Sequence, residues 1–181
     1  MKNTTSHTKL PYYLLAVAVV ARFLPHPPNF TPVGATAIYS GRYFNGWTRF
    51  LVPLLAMFIS DIFLGFHWTM PFVYGAFIIN IFLGMWIAKK PNIPKIMLAT
   101  ILSSLIFFII TNFGSWLTMP MYSKDLSGLI QCYILALPFA KWTLLGDITF
   151  VTIMFGLTEF INYKYIICKT KVKGEVICPK P

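Results

Sequence analysis

The chain has 181 residues, 57% of them hydrophobic, 17% aromatic and only 11% charged, less than half of the roughly 25% charge a soluble domain carries. That supply cannot cover a globule of this size with a water-facing surface, so a soluble domain is excluded and an all-α integral membrane protein is expected. Fifteen Lys and Arg against five Asp and Glu give a net charge of +10. The positive residues fall in short clusters between apolar runs, the pattern of cationic cytoplasmic loops, and form no stripe of the kind that binds nucleic acid.

Seven apolar runs are legible. The first, residues 10–24, follows Lys2 and Lys9 and stops at Pro25, Pro27 and Pro28, since proline cannot continue a helix. Its Ala16, Ala18 and Ala21 invite a signal-peptide reading, but Tyr12, Tyr13 and Arg22-Phe23 fit an anchored helix better. Residues 32–44 end at Gly46, 50–66 come third, and 71–88 open at Pro71. Pro91 and Pro94 precede 96–117, and the last two runs are 126–140 and 142–163. A spanning helix needs about 20 apolar residues, so the first two are short.

Charge parity sets the number of crossings. With Lys2 and Lys9 in the cytoplasm, the loops alternate: none at 25–31, Arg49 with nearby Arg42, none at 67–70, then Lys89, Lys90 and Lys95, then only Lys124. The tail carries Lys164, Lys169, Lys171, Lys173 and Lys180 and belongs inside, so residues 126–163 cross once in net terms. The segment 126–140 is the expected exception. It contains Gln131 and is interrupted by Pro138 and Lys141, which fits a partial helix packed near the outer face. The expected architecture is six transmembrane helices plus that partial helix in one domain, residues 1–163. A basic cytoplasmic tail follows at 164–181, with both termini inside and the chain in a bacterial inner membrane.

Ionisable groups at membrane depth are costly and ask for a partner or a cavity. Arg22, Asp61 and Asp147 are expected at similar depth near the outer face, with Glu159 near the inner end. Arg22 with Asp61 reads as an ion pair that supports or lines a cavity. Asn29, His67, Asn112, Trp116, Tyr122, Lys141 and Asp147 read as substrate-binding residues of an outward-open cavity. Each has a plainer reading: Asp147 with Lys141 as an interfacial pair, His67-Trp68 as an interface anchor, and Trp116, Trp142 and Tyr122 as an aromatic belt. Ala37-xxx-Gly41 and Gly84-xxx-Ala88 allow helices to approach closely.

No metal site and no cofactor are expected: the three histidines are scattered at 7, 26 and 67, and three cysteines cannot complete a disulfide framework. No phosphate-binding P-loop, HExxH, GxSxG or CxxC motif occurs, so the chain does not itself hydrolyse ATP in the P-loop manner and an enzyme is not expected. Two other readings stand beside a binding subunit. One is a scaffold that only holds a partner; the other is an intramembrane enzyme using Asp61 and Asp147 as a carboxylate pair.

The segments Pro28-Asn29-Phe30-Thr31-Pro32-Val33-Gly34-Ala35 and Ser60-Asp61-Ile62-Phe63-Leu64-Gly65 resemble an uncharacterised family of small bacterial membrane proteins. So do Thr111-Asn112-Phe113-Gly114-Ser115-Trp116, Ala136-Leu137-Pro138-Phe139 and Gly146-Asp147. That family is similar to the substrate-binding S components of energy-coupling factor (ECF) transporters, and the resemblance covers residues 10–163. It implies six helices and a cavity open to the outside for a vitamin-like or other small nutrient. Its implied partners are a transmembrane coupling protein and ABC-type ATPases, and its implied contacts are the loops around Asn29 and His67, then Asn112, Trp116 and the stretch from Tyr122 to Asp147. Many S components carry Ala-xxx-Ala in the first helix for docking. Here Ala16 is followed four residues on by Val20, and Ala18 by Arg22, so the spacing fails.

Overall fold

The structure is a computed structural model that describes residues 9–89 and 91–171, with side chains through Tyr163. Lys2, His7 and Lys90, and the part of the basic tail from 172 to 181, lie outside the described residues. Among the described residues the fold is all-helical, with six helices and no strand: α1 Leu10–Ala21, α2 Val33–Tyr43, α3 Thr48–Leu64, α4 Met70–Ala88, α5 Ile93–Thr118 and α6 Leu126–Lys171. Three of them, Met70–Ala88, Ile93–Thr118 and the Leu126–Tyr163 part of α6, are long and apolar enough to cross a membrane.

Proline sets several of the starts. Pro11, Pro71 and Pro94 sit in the first turns of α1, α4 and α5, where a missing N–H costs nothing. The Asn92 side chain adds a cap to α5 by accepting from the Lys95 N–H at 2.9 Å.

One expectation is corrected. The runs 126–140 and 142–163 are not a partial helix followed by a span; they are one helix of 46 residues with Pro138 inside it. Proline removes a single backbone hydrogen bond and tends to kink a helix. Ahead of it the helix is tied to α5: Cys132 Sγ lies 3.4 Å from the Asn112 carbonyl oxygen, and the Tyr133 hydroxyl donates to the Ile109 carbonyl at 2.7 Å. The chain from 126 to 163 thus passes once, antiparallel along α5, and the helix continues to Lys171 where a tail from 164 was expected.

The least apolar helix is the most buried. Every residue of α2 from Val33 to Gly41 is buried, because its small and hydroxyl side chains let neighbours approach on all sides. At the α2–α4 crossing a Cβ added to Gly41 would stand 2.1 Å from the Ile81 carbonyl oxygen, and one added to Gly84 would stand 2.2 Å from that of Ile38. The expected close approach of Ala37-xxx-Gly41 and Gly84-xxx-Ala88 is therefore present between these two segments. The Tyr39 hydroxyl meets Thr158 Oγ1 at 2.7 Å; Thr158 already donates to the Met154 carbonyl, so Tyr39 is the donor.

Basic residues gather at one end of the bundle. Lys9, Arg42, Arg49, Lys89 and Lys95 stand at the helix ends on that side, where Lys95 lies 4.4 Å from the Trp86 ring and Arg42 reaches the Ala88 carbonyl. The opposite end carries the connectors 22–32, 65–69 and 119–125, with Lys124 as their one lysine.

The connector 22–32 is recessed. Val33, which opens α2, packs with Phe77 and Ile81, and Phe77 lies seven residues, about 10 Å of helical rise, past the start of α4. On α5 the same level is marked by Ser104, which meets Asp147 beside the start of α2. From there α5 runs on to Thr118, about 20 Å further. α4, α5 and α6 thus stand above the connector as the sides of a bowl.

Candidate functional site

A cavity of about 250 Å³ occupies that bowl. Its walls come from α5 (Phe107, Phe108, Thr111, Asn112, Ser115), from α6 (Ala136, Phe139, Ala140, Thr143) and from Val73 of α4. Asn29 of the recessed connector and His67 and Thr69 of the α3–α4 connector complete its lining. Asn29 holds a φ of +66°, a left-handed conformation that asparagine tolerates better than most residues. Irregular backbone at membrane depth is tolerated where it is packed in protein or lines a cavity, and here it does both: a Cβ on Gly146 of α6 would stand 3.1 Å from the Thr31 nitrogen.

The α5 wall is built by helical spacing. Positions 107, 108, 111, 112 and 115 recur at three- and four-residue intervals, so their side chains share one face. The hydroxyls satisfy their protons locally: Thr111 donates to the Phe107 carbonyl at 2.7 Å, Ser115 to Thr111 at 3.0 Å, and Thr143 to Phe139 at 3.3 Å. Asn112 Nδ2 donates to the Phe108 carbonyl at 2.7 Å. A carbonyl can only accept, so the amide orientation is settled, and Oδ1 and the second Nδ2 proton are left over.

Three of the expected binding residues, Asn29, His67 and Asn112, come together around this space. The other four lie apart from it. The Trp116 indole donates to the Ser123 carbonyl at 2.9 Å, and Lys124 donates to the carbonyls of Trp116 and Met119, so Trp116 clasps the 119–125 connector. Tyr122 stands beside Cys132. Lys141 is exposed and lies 5.4 Å from the Trp142 ring rather than with Asp147.

Asp147 is 2% exposed. Its Oδ1 accepts from the Ala35 N–H at 3.2 Å and its Oδ2 from the Ser104 hydroxyl at 2.6 Å. A Cβ on Gly34 would stand 2.4 Å from either carboxylate oxygen, so only glycine admits the carboxylate here. The first N–H groups of a helix lack intrahelical partners and favour negative charge. Pro32 offers no capping side chain to α2, and α6 supplies one from a distance instead.

Arg22 and Asp61 pair as expected, Nη2 to Oδ1 at 2.8 Å, with side chains only 14% and 6% exposed. Two partners were not foreseen. The Tyr74 hydroxyl donates to Asp61 Oδ2 at 2.8 Å, and the other Arg22 terminal nitrogen donates to Ser60 Oγ, which itself donates to the Met57 carbonyl. The pair therefore ties α1 to α3 and α4 and borders the cavity nowhere. At the basic end Glu159 accepts from the Tyr43 hydroxyl at 3.1 Å and lies 3.9 Å from Arg42.

Sequence reasoning missed Thr69, Thr111, Ser115 and Thr143 at the cavity, and Gly34, Ser60, Tyr74 and Ser104 at the two acids. A signal existed for α5: Thr100, Ser104, Thr111 and Ser115 form a polar seam at helical spacing in an otherwise apolar run. Among the described residues no group of His, Cys, Asp and Glu could hold a metal ion.

No curated protein and no solved structure matches the chain. A family described as of unknown function, DUF6580, matches residues 2–172; with nearly the whole length matched, the chain belongs to that family.

Proposed function

We propose that the protein is a membrane-embedded substrate-binding subunit for uptake of a small, polar, vitamin-like nutrient, energised by a separate coupling protein and ATPases. It crosses a bacterial inner membrane with its basic end and both termini in the cytoplasm. The observation that carries this reading is the cavity: about 250 Å³, polar and aromatic, at the end of the bundle poor in lysine. That volume corresponds to about eight waters at ~30 Å³ each, enough for a small metabolite. The resemblance to ECF S components and the collection of Lys and Arg at the opposite end support it.

Two measurements test the reading. Gentle purification from native membranes, with mass spectrometry of what accompanies the chain, is expected to recover a transmembrane protein together with ATPases. Thermal unfolding in detergent against a panel of small nutrients is expected to give a stabilisation that follows RT ln(1 + [L]/Kd). Recovery alone, with no stabilising molecule in the panel, would leave a scaffold as the better description. A panel member returned chemically altered would indicate an enzyme.

A further inference from the structure

We infer that the connector side of the cavity is a subsite for a carboxylate, with Thr69 as its central donor, so that the guest is a small flat acid. The inference rests on the binding reading above and deepens it by naming the substrate class.

Thr69 carries the argument. It lines the cavity and is only 7% exposed, yet its hydroxyl has no hydrogen-bond partner among the described residues. At an N-cap the side-chain oxygen ordinarily accepts from an N–H of the first turn. Here that task is already done. The Met70 N–H goes to the His67 carbonyl, those of Phe72 and Val73 go to the Thr69 carbonyl, and Pro71 has none. A buried hydroxyl that bonds to nothing is costly, and this one borders the space a guest would fill.

Two neighbours keep donors as well. Asn29 and His67 line the same space, and neither side chain makes a hydrogen bond among the described residues. The amide offers two N–H groups, and the imidazole offers at least one whether neutral or protonated. Asn112 adds its second Nδ2 proton. Thr111, Ser115 and Thr143, by contrast, commit their only hydroxyl protons to carbonyls of their own helices. The protons free for a guest therefore lie on the two connectors and at Asn112.

An acceptor meets these groups, and an ionised one meets them best, since hydrogen bonds to a charged acceptor are roughly twice as strong as neutral ones. No Asp or Glu in the lining opposes the charge. Thr69 is also the N-cap of α4, whose first turn holds no acid, and that end of a helix carries partial positive charge. An ammonium finds no anionic partner by the same count. Phe107, Phe108 and Phe139 supply ring surface for the body of the guest, which suits a flat molecule.

Three probes share one ring and differ in the polar group: benzoate, benzamide and benzylammonium. Their binding to the detergent-purified full chain is read by saturation-transfer NMR and by thermal shift. Benzoate is expected to bind at least about tenfold more tightly than benzylammonium, with benzamide between them. Thr69→Val removes the hydroxyl at nearly constant shape and is expected to weaken benzoate severalfold without lowering the unfolding temperature of the empty protein, because the hydroxyl caps nothing. Thr69→Ser is expected to keep the affinity. Asn29→Gly, which tolerates the left-handed backbone, is expected to weaken benzoate as well. Equal or tighter binding of benzylammonium, or a benzoate affinity untouched by Thr69→Val, overturns the carboxylate subsite. Ala140→Phe, or the milder Ala136→Leu should that variant fail to fold, fills the cavity and separates the two levels of failure. If benzylammonium binds best and the filled variant loses it, the cavity remains a binding site and only the carboxylate rule is lost. Binding that survives the filling, or no binding of any probe, overturns the rule and the site together.

Discussion

The two polar regions of this molecule are built by opposite rules. At Asp61 and Asp147 acidic groups are buried and every oxygen is answered from inside the protein: Arg22 and Tyr74 for one, Ala35 and Ser104 for the other. The cavity lining holds no Asp, Glu, Lys or Arg, and its polar groups are hydroxyls, side-chain amides and one imidazole. Buried charges that are fully paired hold helices together, whereas neutral polar groups with spare valence are what a guest can use. Here both buried acids have each carboxylate oxygen paired within the protein, and neither lines the cavity.

That contrast can be broken at either side. Removing the carboxylate in Asp147→Ala leaves the first N–H groups of α2 and the Ser104 hydroxyl unpaired in the core. A loss of about 3 kcal/mol or more is expected, read as a lower unfolding temperature in detergent, while Asp147→Asn keeps one acceptor and loses less. Asp61→Leu alone strands Arg22 and should cost about 3 kcal/mol, the usual effect of removing one partner of a buried pair. The double change Arg22→Met with Asp61→Leu should recover most of it. A double variant as unstable as the single one would mean that the pair does more than satisfy itself.

On the cavity side the expected pattern is reversed. Asn112→Leu should weaken binding of whatever nutrient stabilises the protein by about 1.5 kcal/mol, roughly tenfold, with the unfolding temperature of the empty protein nearly unchanged. A large stability loss with intact binding would place Asn112 among the structural residues.

The smallest effect is expected at Asp125, in the connector before α6. Its carboxylate accepts from the Gly128 N–H at 2.7 Å and from the Ser123 hydroxyl at 2.7 Å, and the Gly128 amide, with Ser123 second, holds its pKa below the ordinary carboxylate value. A depressed folded-state pKa means the contribution is complete above the unfolded value, near 4. It is lost as pH falls through the folded value. Amide exchange at Gly128 should therefore accelerate only in acid below about pH 4, and in Asp125→Ala at every pH.

Much of the fold was legible because the signal is local. Proline punctuation placed the starts of α4 and α5 within a few residues. The split at Pro138 was misread because a proline's effect depends on what packs beside it: the α5 carbonyls of Ile109 and Asn112 meet α6 just ahead of it. The Arg22–Asp61 pair was legible because two opposite charges in apolar runs have few other choices. Asp147 was not, since its partners are a backbone N–H and a serine 112 and 43 residues away, and no pattern in the chain announces them. Polarity alone groups His67, Asn29 and Asn112, which line the cavity, with Trp116 and Lys141, whose groups meet the 119–125 connector and Trp142 instead.

The recessed connector also sets the depth of the barrier that remains. Beneath it only α2 separates the cavity floor from the basic end, and α2 has 11 residues, about 16 Å of rise in a hydrocarbon layer about 30 Å thick. That short stretch is filled by buried, mostly small side chains from Val33 to Gly41 and closed at its head by the Asp147 carboxylate, so the thinnest part of the bundle is also its most tightly packed.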